Sequence, residues 1–209
     1  KIRKTVKEES AEGWVRNYTN PMCRGVKTLY HTCPGIKACG CCHEVFGTQK
    51  VLKGILEEEY GLQDIKRKDI HVNVLGINHF TWFDYASYMG MDLFPVYRKY
   101  VDEHFEEGFE ERDMNWANAF FACSHRVKFD LFRRYGLLAA AGARHLAEFM
   151  PGDEYLNDPA TVNKWKFALT TAAWRKGDLK GRLATSRRRV SRWESVAVKP
   201  KGGEGSLWR

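Results

Sequence analysis

The sequence predicts an α/β protein whose second part is mainly helical. Up to Asp92, short apolar segments typical of strands alternate with a helical pattern, and beyond Asp92 apolar residues recur at helical spacing. The 209 residues are 44% apolar, which is enough for one substantial core or for parts of two domains. The size of the chain is therefore compatible with an enzyme.

Two short strands are predicted near the start of the chain. The first covers residues 14–18 and ends in an Asn-Pro turn, and the second covers residues 37–42 and follows Pro34 and Gly35. Open α/β sheets bind ligands at the carboxyl ends of their strands. We therefore expect functional side chains directly after both strands.

A helix and a third strand follow. Thr48 is the predicted N-cap of the helix, and Gly61 follows its last residue. The apolar face of this helix carries Val51, Leu52, Ile55 and Leu56. Residues 70–74 alternate like a half-buried strand and lead directly into residues 76–79. One side of this strand carries Ile70, Val72 and Val74.

Three helices are predicted in the second part of the chain. They cover residues 94–105, 126–135 and 159–174. Gly136 ends the second of them, and the third is centred on Trp165 and Leu169. From residue 199 onward, proline and glycine indicate a loop.

The net charge of +8 is concentrated towards the carboxyl end of the sequence. From Trp174 onward there are 11 Lys and Arg and 3 Asp and Glu, so the preceding residues carry 23 charges of each sign. A run of basic residues is more often a solvated helix face or a disordered end than a nucleic-acid site, so we expect no nucleic-acid partner. The residues that could instead grip phosphates are Arg187, Arg188, Arg189, Arg192 and Trp193.

Six cysteines are present, and five of them lie between residues 23 and 42. No apolar segment suited to secretion or to crossing a bilayer accompanies them, so we expect a soluble, cytoplasmic protein with reduced thiols and no membrane partner. The stretch from Cys39 to His43 is too compressed for four zinc ligands to converge, because neighbouring residues on an extended strand face opposite ways. Ordinary buried thiols are expected at every cysteine except Cys42. The six are Cys23, Cys33, Cys39, Cys41, Cys42 and Cys123.

Five short motifs occur in order along the chain. They are Asn-Tyr-Thr-Asn-Pro-Met at 17–22, Pro-Gly-Ile-Lys at 34–37, Gly-Cys-Cys-His-Glu-Val at 40–45, Gly-Ile-Asn-His-Phe-Thr-Trp at 76–82 and Arg-His-Leu-Ala-Glu-Phe at 144–149. Each is weak alone. Together they make the sequence resemble glycoside hydrolase family 4, the NAD- and metal-dependent glycosidases, and most closely its α-glucosidase and α-galacturonidase branch.

The resemblance implies two domains. Residues 1–75 are similar to the C-terminal part of a Rossmann-like, doubly wound NAD-binding domain without its glycine-rich first half. Residues 76–209 are similar to an incomplete, mainly helical α+β domain that binds substrate and metal. The expected partner is a small glycoside, and a homo-oligomer is expected for the full-length protein.

The resemblance also makes Cys42 and His79 the ligands of a divalent ion, usually Mn²⁺. The chemistry of the two residues is compatible with this role. A thiolate and an imidazole favour transition-metal ions over Mg²⁺ or Ca²⁺ and leave positions open for sugar hydroxyls. From the residues alone, a buried thiol and a capping histidine are the alternatives.

The resemblance implies roles for five further residues. Asn20 would contact the sugar and the cofactor, Asn78 would position sugar hydroxyls, and Arg144 would pair with a uronate carboxylate. His43 would be the general acid, and His145 a second catalytic residue. The residues themselves are equally compatible with turn-forming asparagines and a solvent-facing arginine.

The implied reaction departs from the usual pair of carboxylates. NAD takes a hydride from C3 of the sugar, a base removes the C2 proton with help from the metal, and the aglycone is eliminated before water adds and C3 is reduced again. Relatives carry Asp in a Gly-Asp-Arg-His stretch where this chain has Ala143, so His145 or Tyr135 would have to replace that base. A catalytically inactive relative and a basic, cysteine-rich nucleic-acid-binding module are the alternatives.

The chain by itself is predicted not to retain NAD. The 209 residues contain no Gly-x-Gly-x-x-Gly turn, whose backbone amides cradle the pyrophosphate of a dinucleotide. Calorimetric titration of NAD into the purified chain should therefore show no stoichiometric complex. A one-to-one complex would contradict this expectation.

Overall fold

The computed structural model describes residues 12–110, 124–167 and 172–197. The chain divides into two units, Lys1–Ala168 and Leu169–Arg209. The loop predicted from residue 199 onward lies outside the described residues, as do Leu169 and Cys123.

The first unit opens with a βαβ arrangement. Its elements are β1 (Trp14–Asn17), α1 (Met22–Thr32) and β2 (Lys37–Gly40). The two strands are parallel, with Trp14 opposite Lys37 and Asn17 opposite Gly40. Both predicted strands are confirmed, although each ends one or two residues early. This crossover is the α/β part of the predicted fold class.

The next helix, α2 (Glu44–Tyr60), ends as predicted at Gly61, whose φ of 62° is left-handed. Thr48 is not its N-cap, so that prediction is wrong. The helix begins a turn earlier, where the Glu44 carboxylate interacts favourably with the helix dipole. Thr48 is fully buried, and its hydroxyl donates to the Ala140 carbonyl (2.8 Å) and accepts from Lys128 Nζ (2.6 Å).

An antiparallel sheet follows a short 3₁₀ turn. Its strands are β3 (Ile70–Ile77), β4 (Phe80–Tyr88), β5 (Met91–Asp92) and β6 (Leu138–Ala139). Strand β4 is central and pairs with the other three. The register between β3 and β4 shifts at Asp84, and this bulge turns both Phe83 and Ala86 into the core. Along β3, exposure rises from 1% at Ile70 to 41% at Val74, so only its first half covers the core.

Five further helices belong to the first unit. They are α3 (Leu93–Glu103), α4 (Arg126–Tyr135), α5 (Ala143–Phe149), α6 (Gly152–Tyr155) and α7 (Pro159–Lys164). The predictions for residues 94–105 and 126–135 are confirmed to within two residues, and Gly136 ends α4 with a φ of 68°. The helix predicted at 159–174 is confirmed only for residues 159–164, because Lys166 has a φ of 49° that does not continue a helix after α7.

Two large buried clusters supply most of the core in the described residues of this unit. The larger one joins α2, α3 and α4 to the sheet and includes the fully buried side chains Ile55, Leu56, Phe83, Tyr97, Phe129 and Phe132. The second lies among α4 to α7 and includes Leu131, Leu146 and Tyr155. Burial of several large apolar side chains in each cluster is the main stabilising contribution to the unit.

The second unit is described by one helix, α8 (Ala172–Ala197). Leu179 and Leu183 are 57% and 50% exposed, and Arg182 pairs with Asp178 one turn away at 2.7 Å. An exposed helix is one of the two structures predicted for the charge run. Within the described ranges, no helix combines the length and the apolar character needed to span a bilayer.

Replacing Thr48 with Val should lower the free energy of unfolding by roughly 2–4 kcal/mol. The substitution keeps the shape but removes the hydroxyl, which leaves the Ala140 carbonyl and the Lys128 ammonium without this buried partner. Urea denaturation measures the loss. In the control Thr28→Val, an exposed hydroxyl is removed from α1, and the change should stay below about 0.5 kcal/mol. Equal effects of the two substitutions would contradict the role given to Thr48.

Candidate metal and sugar site

Two turns bring the candidate metal ligands together. Cys42 lies between β2 and the start of α2, and His79 lies in the two-residue turn that joins β3 to β4. Cys42 Sγ and His79 Nε2 are 3.7 Å apart. Both side chains are partly buried, so the pair faces a site that solvent and small ligands can reach.

Glu44 completes a cluster of three donors. One oxygen of its carboxylate accepts the His79 backbone N–H at 3.0 Å. The donor atoms of Cys42, Glu44 and His79 all lie within 4.8 Å of one another. Sequence reasoning missed Glu44 as a member of the site, although its place two residues after Cys42 was a usable signal.

The spacing of the cluster fits a transition-metal ion. Zinc bonds of about 2.3 Å to sulfur and about 2.1 Å to nitrogen place tetrahedral S and N ligands about 3.6 Å apart. The separation of 3.7 Å between Cys42 Sγ and His79 Nε2 matches that value. A sulfur, a nitrogen and an oxygen donor also suit ions from manganese to zinc better than they suit Mg²⁺ or Ca²⁺.

One other group of donors in the described residues has comparable spacing, and it consists of Glu59, Glu103 and His104. The Lys99 ammonium already pairs with Glu59 at 2.7 Å and with Glu103 at 3.8 Å. That cation neutralises the carboxylates. We interpret this second group as a surface ion-pair network.

Asn78 adds a buried acceptor next to His79. Its Nδ2 donates to Cys23 Sγ at 3.5 Å, whereas its Oδ1 is buried and has no hydrogen-bond partner among the described residues. Buried polar atoms are normally satisfied. A hydroxyl group bound beside the cluster would satisfy this oxygen.

His145 reaches the cluster from α5. Its ring stacks on that of His79 with centroids 4.1 Å apart and an angle of 8° between the planes. Burial lowers the pKa of His145, and the neighbouring His79 and Arg144 lower it further, while Glu148 opposes them. Nδ1 of His145 lies 3.6 Å from the Glu148 carboxylate.

The other predicted site residues differ in exposure and in the contacts they make. Arg144, half-buried, directly precedes His145 on α5. His43 and Asn20 are exposed, and neither makes a side-chain hydrogen bond within the described part of the chain. Tyr135 is half-exposed at the end of α4, and its hydroxyl accepts from Arg134 at 3.2 Å. The structure thus brings Cys42, Asn78, His79 and His145 together.

Two family models match the chain. Residues 1–58 match the family 4 glycosyl hydrolases, and residues 74–204 match the family 4 glycosyl hydrolase C-terminal domain. The chain is 65% identical over 206 residues to an α-galacturonidase of Lachnoclostridium phytofermentans, and 53% identical over 205 residues to one of Thermoanaerobacterium saccharolyticum. These alignments cover 99% and 98% of this chain but 44% of each relative.

Solved structures also resemble this chain. The crystal structure of lplD from Bacillus subtilis aligns with a TM-score of 0.74 at 46% identity, over 91% of this chain and 43% of that one. A 6-phospho-α-glucosidase from gut microorganisms, solved in complex with NAD and Mn²⁺, has a TM-score of 0.53 at 17% identity, which supports the fold alone. The predicted fold class, the end of a Rossmann-like domain followed by a mainly helical α+β domain, is confirmed.

These similarities place the chain among the glycosyl hydrolases. Because one family model alone matches more than half of its residues, the chain belongs to family 4. It spans less than half the length of the curated relatives it matches.

The stack with His145 is predicted to orient His79 for metal binding. His145→Ala removes the ring and should weaken binding of Mn²⁺ by about 10-fold, in the range typical for residues that orient a ligand. His145→Phe keeps a stacked ring and should bind Mn²⁺ nearly as tightly as the parent. Competition titration with a chelating dye measures both. Equal loss in the two variants would show that a ring nitrogen, and not stacking, supports His79.

Proposed function

We propose that this chain forms the metal-binding and sugar-binding part of a family 4 glycosidase that acts on α-galacturonides. The single observation that carries the proposal is the cluster of Cys42, Glu44 and His79. High identity to two α-galacturonidases along nearly the whole chain supports the substrate class. α-Glucosides are the second substrate class implied by the family resemblance.

Cys42 and His79 would hold a divalent ion, with Mn²⁺ as the expected one. When bound, the ion supplies a Lewis acid that stabilises the negative charge formed as the C2 proton leaves. The Cys42 thiolate offsets one of the two positive charges of the ion, and the neutral His79 offsets none. Asn78 Oδ1 would accept a hydrogen bond from a hydroxyl of the sugar, and this bond would orient the ring over the centre.

Arg144 and His145 would act on the sugar from α5. The planar guanidinium of Arg144 can hold the C6 carboxylate of a galacturonide with two parallel hydrogen bonds. Nδ1 of His145 faces Glu148, which leaves Nε2 to accept the C2 proton in place of the carboxylate missing at Ala143. His43, exposed at the start of α2, would donate a proton to the departing glycosidic oxygen, and Asn20 would contact the sugar or cofactor.

The residues proposed for the site do not suffice for one step of the family reaction, the oxidation of C3 by NAD. The sequence has no Gly-x-Gly-x-x-Gly turn, so it offers no pyrophosphate cradle of that type. The steps proposed for this chain are therefore limited to metal binding, sugar binding and movement of the C2 proton.

A catalytically inactive member of the family is the second candidate. The observation in its favour is Ala143, which is 3% exposed and starts α5 where a carboxylate is expected. Such a protein would retain the metal site for structure or regulation. The two candidates share the metal site and differ in whether a galacturonide is turned over when NAD and the whole protein are supplied.

Metal binding provides the first test. The reduced chain should bind one Mn²⁺, and both Cys42→Ser and His79→Ala should abolish this binding, because each removes one of two adjacent ligands. Cys39→Ser, at a half-buried cysteine of β2, is the matched control and should bind like the parent. Calorimetry with Mn²⁺ measures all four proteins. Absence of binding by the parent, or unchanged binding in both site variants, would contradict the proposed function.

A further inference from the structure

Glu44 spans the gap between the start of α2 and the β3–β4 turn. One oxygen of its carboxylate accepts the backbone N–H of His79 at 3.0 Å. His79 has a φ of 65°, a left-handed conformation that costs a residue with a Cβ about 1–2 kcal/mol. The hydrogen bond from Glu44 therefore helps to hold His79 where its ring faces Cys42.

The second oxygen of the Glu44 carboxylate is available to a ligand. Within the described ranges, the His79 N–H is the one hydrogen bond that Glu44 accepts. Glu44 is half-buried, and a donor atom of its carboxylate lies within 4.8 Å of both Cys42 Sγ and the His79 imidazole. A carboxylate can hold an N–H with one oxygen and a cation with the other.

The charge of the centre favours a third ligand. A divalent ion held by one thiolate and one neutral imidazole keeps a net charge of +1 in a half-buried site at the amino end of a helix, where the dipole is also positive. A carboxylate ligand brings the net charge to zero. Carboxylate oxygen also favours Mn²⁺ relative to softer ions, whereas thiolate and imidazole alone favour zinc.

We propose that Glu44 is a third protein ligand of the divalent ion, which it binds with one carboxylate oxygen while the other holds the turn of His79. This inference rests on the proposed metal site at Cys42 and His79. Three protein ligands would still leave positions on the ion open to sugar hydroxyls and water. Glu44 therefore sets which ion the site prefers.

Two substitutions separate a ligand from a residue that only supports His79. Glu44→Gln keeps an amide oxygen that can accept the His79 N–H but removes the negative charge. Glu44→Ala removes both functions. The control is Glu110→Gln, which makes the same chemical change at an exposed residue outside the cluster. Far-ultraviolet circular dichroism and thermal unfolding establish that each variant is folded.

Competition titrations with Mn²⁺ and with Zn²⁺ test the proposal. Glu44→Gln should weaken Mn²⁺ binding by at least about 10-fold and Zn²⁺ binding by a smaller factor, and Glu110→Gln should change neither. Unchanged Mn²⁺ binding in Glu44→Gln, with loss in Glu44→Ala, would overturn the proposal and leave Glu44 as a support for His79. A parent chain that binds no Mn²⁺ would overturn both this proposal and the proposed metal site.

A second measurement needs no variant. Infrared difference spectra of the parent chain with and without Mn²⁺ should show a shifted carboxylate stretch, because coordination changes the two C–O bonds of Glu44. An unchanged carboxylate region in a chain that binds Mn²⁺ would overturn the proposal. This result distinguishes a wrong role for Glu44 from a wrong metal site.

Discussion

The position of the site depends on how α2 is tied to its neighbours. Glu44 holds the turn at His79, and one turn further along the helix Thr48 holds the Ala140 carbonyl (2.8 Å). Gln49 then donates to the Ile70 carbonyl at the start of β3 (2.8 Å). These contacts are directional, and two of them are buried, so a small shift of α2 would leave buried polar groups unpaired. The apolar face of the same helix packs into the larger core, which fixes the turn carrying Cys42 relative to the hairpin carrying His79.

Much of the fold was predictable because local rules and tertiary packing agree. Helical periodicity predicts the apolar face of α2 and the helix α4. Glycine readily adopts the left-handed conformation, which predicts the end of each of these helices. Strand β4 was missed because the bulge at Asp84 breaks its alternation. Helix α1 was missed although Met22, Val26 and Leu29 recur along it at helical spacing. The break after α7 depends on the left-handed Lys166, a conformation that sequence rarely indicates for lysine.

Only part of the site was predictable from the sequence, because some of its contacts depend on tertiary packing. Cys42 and His79 follow strands and carry recognisable motifs, so their roles could be proposed from sequence. His145 is 66 residues from His79, and its stacking depends on the packing of α5 against the sheet. Glu44 looks like an ordinary acid in the first turn of a helix, and only the structure reveals its contact with His79.

X-ray absorption spectroscopy of the reduced chain loaded with one equivalent of Mn²⁺ tests directly whether Cys42 is a metal ligand. We predict one sulfur atom in the coordination shell together with nitrogen and oxygen atoms, because Cys42 Sγ and His79 Nε2 lie close enough to bind the same ion. Cys42→Ser should lose the sulfur. A shell of nitrogen and oxygen alone in the parent chain would contradict a metal centre built on Cys42.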